Sequence, residues 1–116
     1  MFKSVEYAGF DGNPELKVKA ERANAVLAVA VGERQGEVEV RWSPAADAAG
    51  VLELTLRRTL RNGVEGEFTG TFVPDDFISP RWLRLRCLQA WDDLLGVLLD
   101  RQHERVQEFF LEPTEA

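Results

Sequence analysis

The sequence predicts an α+β fold: an antiparallel β-meander of five to six strands closed by a long C-terminal α-helix on one face. Three observations predict it. The segment VLELTLRRTLRNGVEGEFTGTF alternates apolar and polar residues on both sides of an Asn-Gly turn signal. Strict alternation recurs in residues 16–20, 27–31 and 37–42. From Ser79 onward a cap residue and a proline precede a broad apolar stripe at helical spacing.

The hairpin fixes its own register. Leu52, Leu54, Leu56 and Leu60 alternate with Glu53, Thr55, Arg57 and Thr59, and Val64, Phe68 and Phe72 alternate with Glu65, Glu67, Thr69 and Thr71. A two-residue Asn62-Gly63 turn would put the two apolar sets on opposite faces. A three-residue loop, Arg61-Asn62-Gly63, pairs Leu60 with Val64, Leu56 with Phe68 and Leu52 with Phe72, so every large apolar residue shares one face. Arg57 then lies opposite Glu67, and Thr55 opposite Thr69. Such a loop is a type I turn followed by Gly63 in the left-handed region. Gly66 and Gly70 fall on the inner face, where a bulky neighbour must approach closely, and Trp82 or Trp91 would fill those gaps.

Upstream, GEVEVRW reads as a strand with Val38, Val40 and Trp42 inward, and SPAADAAG connects it to the leucine strand. Residues 14–31 carry two patterns at once. As a helix, Asn13 caps, Pro14 opens the first turn, and Leu16, Ala20, Ala23, Leu27 and Ala30 form a stripe. As strands, Leu16, Val18 and Ala20 alternate with charged residues, while Leu27, Val29 and Val31 alternate with alanines. The strand reading is preferred because two hairpins then close in phase, Val31 on Val38 and Val18 on Val29. The helical reading gives the order β-α-β-β-β-α. FKSVEYAGF reads as a weak first strand.

The C-terminal helix starts at Ser79-Pro80 and places Leu83, Cys87, Ala90, Trp91, Leu94, Leu95 and Leu98 on its apolar stripe. Arg84, Arg86, Gln89, Asp92 and Asp93 lie opposite. Its far end is open on the sequence: either it runs through HERVQEFF or it breaks near Asp100. Phe109, Phe110 and Leu111 read as packed, and residues 112–116 as a frayed tail.

The chain of 116 residues fits one domain, 1–116, with enough length for a core. Its charge of −6 argues against general nucleic-acid binding, which needs a basic surface. A single cysteine allows no internal disulfide, and Cys87 in an apolar segment reads as a small buried hydrophobe. The N-terminus lacks a signal-peptide pattern, and AVLAVAV is far too short to span a bilayer. The expectation is a cytoplasmic protein with no membrane association.

Chemistry-bearing motifs are scarce. The sequence has no phosphate loop, dinucleotide fingerprint or GxSxG elbow, and HERVQE lacks the second histidine of a zinc-binding HExxH. Cys87 and His103 would be about 24 Å apart along a continuous helix, too far for a nucleophile pair. Asp93, Asp100, His103 and Glu104 could share a helical face, but a solvated acidic face near Arg101 and Arg105 accounts for them. No cofactor or metal is expected, and no catalytic residue is assigned.

RWLRLR is the most suggestive stretch. Arg81, Trp82, Arg84 and Arg86 project from the first turns of a helix, and arginine and tryptophan are enriched at binding hot spots. A packing alternative has Trp82 in the glycine gaps and the arginines paired with Glu65 or Glu67. The functional expectation is a non-enzymatic protein- or peptide-binding adaptor module, with a protein partner or homodimer. The alternative is a nucleic-acid-binding domain using the same Arg/Trp patch.

Overall fold

Residues 14–31 form a helix, and that decides the topology. In the computed structural model, which describes residues 1–111 and their side chains through residue 108, β1 (Ser4–Tyr7) is followed by α1 (Pro14–Val31) and a 3-10 segment over Gly32–Glu37. Three strands come next, β2 (Val38–Pro44), β3 (Leu52–Thr59) and β4 (Glu65–Phe72). A second 3-10 turn (Pro74–Phe77) leads into α2 (Pro80–Leu111). The order is β-α-β-β-β-α. The expected meander of five to six antiparallel strands is therefore corrected to a four-stranded mixed sheet of order β1-β2-β3-β4.

The helix wins over the hairpins for local reasons. Asn13 Oδ1 accepts the Leu16 N–H at 3.3 Å, satisfying one orphan donor of the first turn, and Pro14 takes the position that needs no donor. Leu16, Ala20, Ala23, Leu27 and Val31 are buried on one stripe. Val18 and Val29, which alternation places inward, face solvent. Alanine's high helix propensity favours the same outcome. At the far end Gly32 takes φ +65° and donates its N–H to Ala28 O, which stops the helix.

With α1 as the crossover, β1 pairs parallel to β2, Val5 beside Val40 and Tyr7 beside Trp42. The remaining pairs are antiparallel. β3 and β4 adopt the register read from the sequence: Leu52 opposite Phe72, Leu56 opposite Phe68, Thr55 opposite Thr69 and Arg57 opposite Glu67. In the turn, Leu60 O accepts the Gly63 N–H and Leu60 donates its own N–H to Val64 O, with Gly63 at φ +86°. Arg57 forms its ion pair diagonally, to Glu65 at 3.1 Å.

The two helices cover one face of the sheet, where Val38, Val40, Trp42, Leu52, Leu54, Leu56 and Phe72 join the α1 stripe in one core. From α2 come Leu83, Cys87, Ala90, Leu94 and Leu98. Trp42 is fully buried; its indole N–H donates to Asn24 on α1 at 3.1 Å, and its ring meets Phe72 edge-on at 5.2 Å. Leu95, expected on the stripe, is exposed.

α2 runs without a break through Asp100 to Leu111, 32 residues and about 48 Å at 1.5 Å per residue. The molecule is accordingly elongated, with extents of 63 × 28 × 23 Å. The packing expected of Phe109, Phe110 and Leu111 and the frayed tail at 112–116 lie outside the described side chains and residues. No helix among the described residues is long and apolar enough to cross a membrane.

Candidate functional site

The chain leaves β4 at Val73 and turns into α2 around a buried carboxylate. Asp76 accepts the Val73 N–H on Oδ2 at 2.8 Å and the Trp82 indole N–H on Oδ1 at 2.9 Å. Ser79 caps α2 as expected, its Oγ accepting the Trp82 N–H at 3.1 Å. Trp82 is thus held at its backbone and at its ring, yet remains 49% exposed. A fixed, half-solvated indole is an unusual use of so large an apolar surface.

Helical spacing sets the neighbours. Arg81, Arg84, Leu85 and Leu88 follow one another within two turns on the outer face of α2. With Ser79 and Trp82 they line an open groove of about 490 Å³. Its floor is apolar, since Leu85 and Leu88 are both exposed, and its rim carries two guanidinium groups. Neither Arg81 nor Arg84 forms an ion pair among the described residues. The groove can therefore offer bidentate donors to a carboxylate or phosphate beside an apolar contact surface.

Arg86 is placed elsewhere. Its Nη2 donates to Thr71 O, a carbonyl on the outer edge of β4, at 2.9 Å, and its guanidinium stacks 4.7 Å from the Phe72 ring centre. Arg81, Trp82 and Arg84 come together; Arg86 shields a strand edge.

The glycine gaps are filled by other residues than the tryptophans. A Cβ at Gly66 would meet Leu98 at 2.7 Å, and one at Gly70 would meet the Phe68 ring at 2.7 Å and Arg86 at 3.3 Å. Trp91 instead lies under Arg58, whose guanidinium carbon is 5.6 Å from the ring centre. Arg58 continues the inward alternation of Leu52, Leu54 and Leu56 and is buried. It is neutralised by Glu37 at 3.0 Å, and its Nε has no hydrogen-bond partner among the described residues. The period-2 pattern of β3, extended two residues past Leu56, points to this position.

The reactive side chains are separated. Cys87 is fully buried, its thiol directed at Ala23 O at 3.7 Å; desolvation pushes it up to about 12, well past any useful thiolate population near neutrality. The unbroken helix keeps His103 remote from it. Among the described residues no three His, Cys, Asp or Glu side chains gather as a metal site. A second concavity of about 380 Å³ at the hairpin tip mixes Arg101 and Arg105 with Glu65, Glu104 and Glu108, so its charges largely cancel.

Leu85 and Leu88 complete the groove, although residue type alone does not mark them as binding residues. The signal in the sequence is their position four and seven residues after Arg81. No family model, no curated protein and no solved structure matches this chain.

Proposed function

We propose that the protein is a non-enzymatic module that binds a protein segment in the groove at the start of α2. The observation that carries this reading is Trp82: pinned by Asp76 and Ser79, half exposed, and set between Arg81 and Arg84 over Leu85 and Leu88. A pre-positioned aromatic ring loses little conformational freedom on binding, and tryptophan and arginine are the residue types enriched where interface energy concentrates. The complementary ligand is a short segment with leucine or phenylalanine facing the floor and an aspartate or glutamate reaching the arginines.

The test is selection from a displayed peptide library against the immobilised protein. Enrichment of segments that combine apolar and acidic residues, with binding lost in Trp82→Ala and reduced at least tenfold in Arg81→Glu/Arg84→Glu, supports the reading. Absence of any such segment, or salt-sensitive binding of oligothymidylate in place of peptides, overturns it.

A further inference from the structure

From Leu88 of the groove onward, α2 carries a second apolar face that its own fold does not use. The residues that pack into the core lie on one side of the helix; Leu88, Leu95, Leu99 and Val106 lie on another and are all exposed. Their spacing is regular. Leu88, Asp92, Leu95, Leu99, Gln102 and Val106 succeed each other at steps of 4, 3, 4, 3 and 4 residues, the alternation of a coiled-coil seam. The helix is also long for the body that supports it: the radius of gyration is 16.7 Å, against about 13 Å for a compact domain near this size.

We propose that this seam is a homodimer interface, in which α2 pairs antiparallel with α2 of a second copy about a two-fold axis level with Val97. The argument is self-complementarity, which an isologous contact requires. In that register Leu95 meets Leu99 of the second copy, Leu88 meets Val106, and Asp92 meets Gln102, each twice. Apolar residues meet apolar ones, and the two polar seam positions meet each other. A parallel pairing would instead bring Asp92 against its own copy. Gln102 is prepared for this role: its Oε1 already accepts from Asn62 Nδ2 at 2.9 Å, so its amide N–H groups are left to donate to the Asp92 carboxylate. Two symmetry-related polar layers in an otherwise apolar seam fix register and orientation at some cost in stability. The sheets then lie on the outer sides of the helix pair. Residues 106–111 of the second helix then lie level with residues 88–83, so the pairing takes up Leu88 and borders the groove of Arg81, Trp82 and Arg84.

The dimer shares Leu88 with the groove, but its test rests on Leu95 and Leu99, which lie outside the groove, and uses no ligand. Sedimentation equilibrium of the full chain at micromolar to tens of micromolar concentration should give the mass of two copies. Leu95→Glu and Leu99→Glu, both at exposed positions, should give the mass of one copy with unchanged helical circular dichroism. For the register, Leu88→Cys and Val106→Cys should each fail to cross-link alone under mild oxidation and should form a disulfide when mixed. In the antiparallel pairing residue 88 lies level with 106 of the other copy, whereas the two residues 88 are about 27 Å apart. A monomer at these concentrations, a dimer indifferent to both glutamate substitutions, or efficient cross-linking of Leu88→Cys alone would each overturn the proposal.

Discussion

Trp82 donates its indole N–H to Asp76 at 2.9 Å, and that one hydrogen bond joins the end of the sheet to the start of the groove. Asp76 is buried and accepts from the Val73 N–H with its other oxygen, so the carboxylate organises the turn and the exposed ring together. Asp76→Ala leaves two donors unpaired. It should lower stability by about 1–3 kcal/mol in urea denaturation and move the Trp82 indole resonance toward its solvated position. An unchanged indole shift would mean that the ring is held by packing alone.

Arg58 and Glu37 form the pair whose loss should be asymmetric. Arg58 is almost fully enclosed against the Trp91 ring, while Glu37 keeps about a third of its side-chain surface in water. Glu37→Gln strands a buried cation and should cost about 1–3 kcal/mol; Arg58→Met, which keeps the volume and removes the charge, should cost less. Chemical denaturation of both variants checks the order. A larger loss for Arg58→Met would show that the charge pair is a net source of stability.

Two glycines should respond with opposite signs. Gly66→Ala sets a methyl 2.7 Å from Leu98 Cδ2 and should destabilise by about 1–3 kcal/mol, less than additively with Leu98→Ala. Gly96 sits inside α2, and a methyl group added there would meet nothing within 4 Å, so Gly96→Ala should stabilise by roughly 0.5–1 kcal/mol. Thermal melts distinguish the two.

The hairpin was readable because its register is overdetermined: only the Arg61-Asn62-Gly63 loop puts Leu52, Leu56, Phe68 and Phe72 on one face, as found. Residues 14–31 misled because leucine, valine and alanine satisfy periods of 2 and 3.6 together over short spans. Asn13 and Pro14 carried the deciding information, a capped first turn that no hairpin needs. The parallel β1–β2 pair followed from that helix and could not be inferred without it. In the groove, Arg81, Trp82 and Arg84 were legible from residue type. Arg86 was not, because its destination depends on the edge carbonyl of Thr71 in a different element.

Cys87 gives the fold a pH signature. Burial raises its thiol from an ordinary 9.0 to about 12, so the unfolded chain loses this proton first. The stabilising contribution is complete below about pH 9 and is lost as pH climbs from there toward 12. Stability measured across that range should fall more steeply for the wild type than for Cys87→Ala. Thiol reagents near neutral pH should modify the folded protein only as fast as it unfolds. Rapid modification without unfolding would contradict the burial of this side chain.

The most direct measurement of the central claim is chemical-shift mapping of isotope-labelled protein titrated with an apolar-acidic peptide selected from the library. The groove reading predicts shifts at the Trp82 indole and at the Arg84, Leu85 and Leu88 amides, with the buried Trp42 indole unmoved. Perturbation confined to the polar outer face of the sheet or to the outer edge of β4, with Trp82 silent, would contradict it.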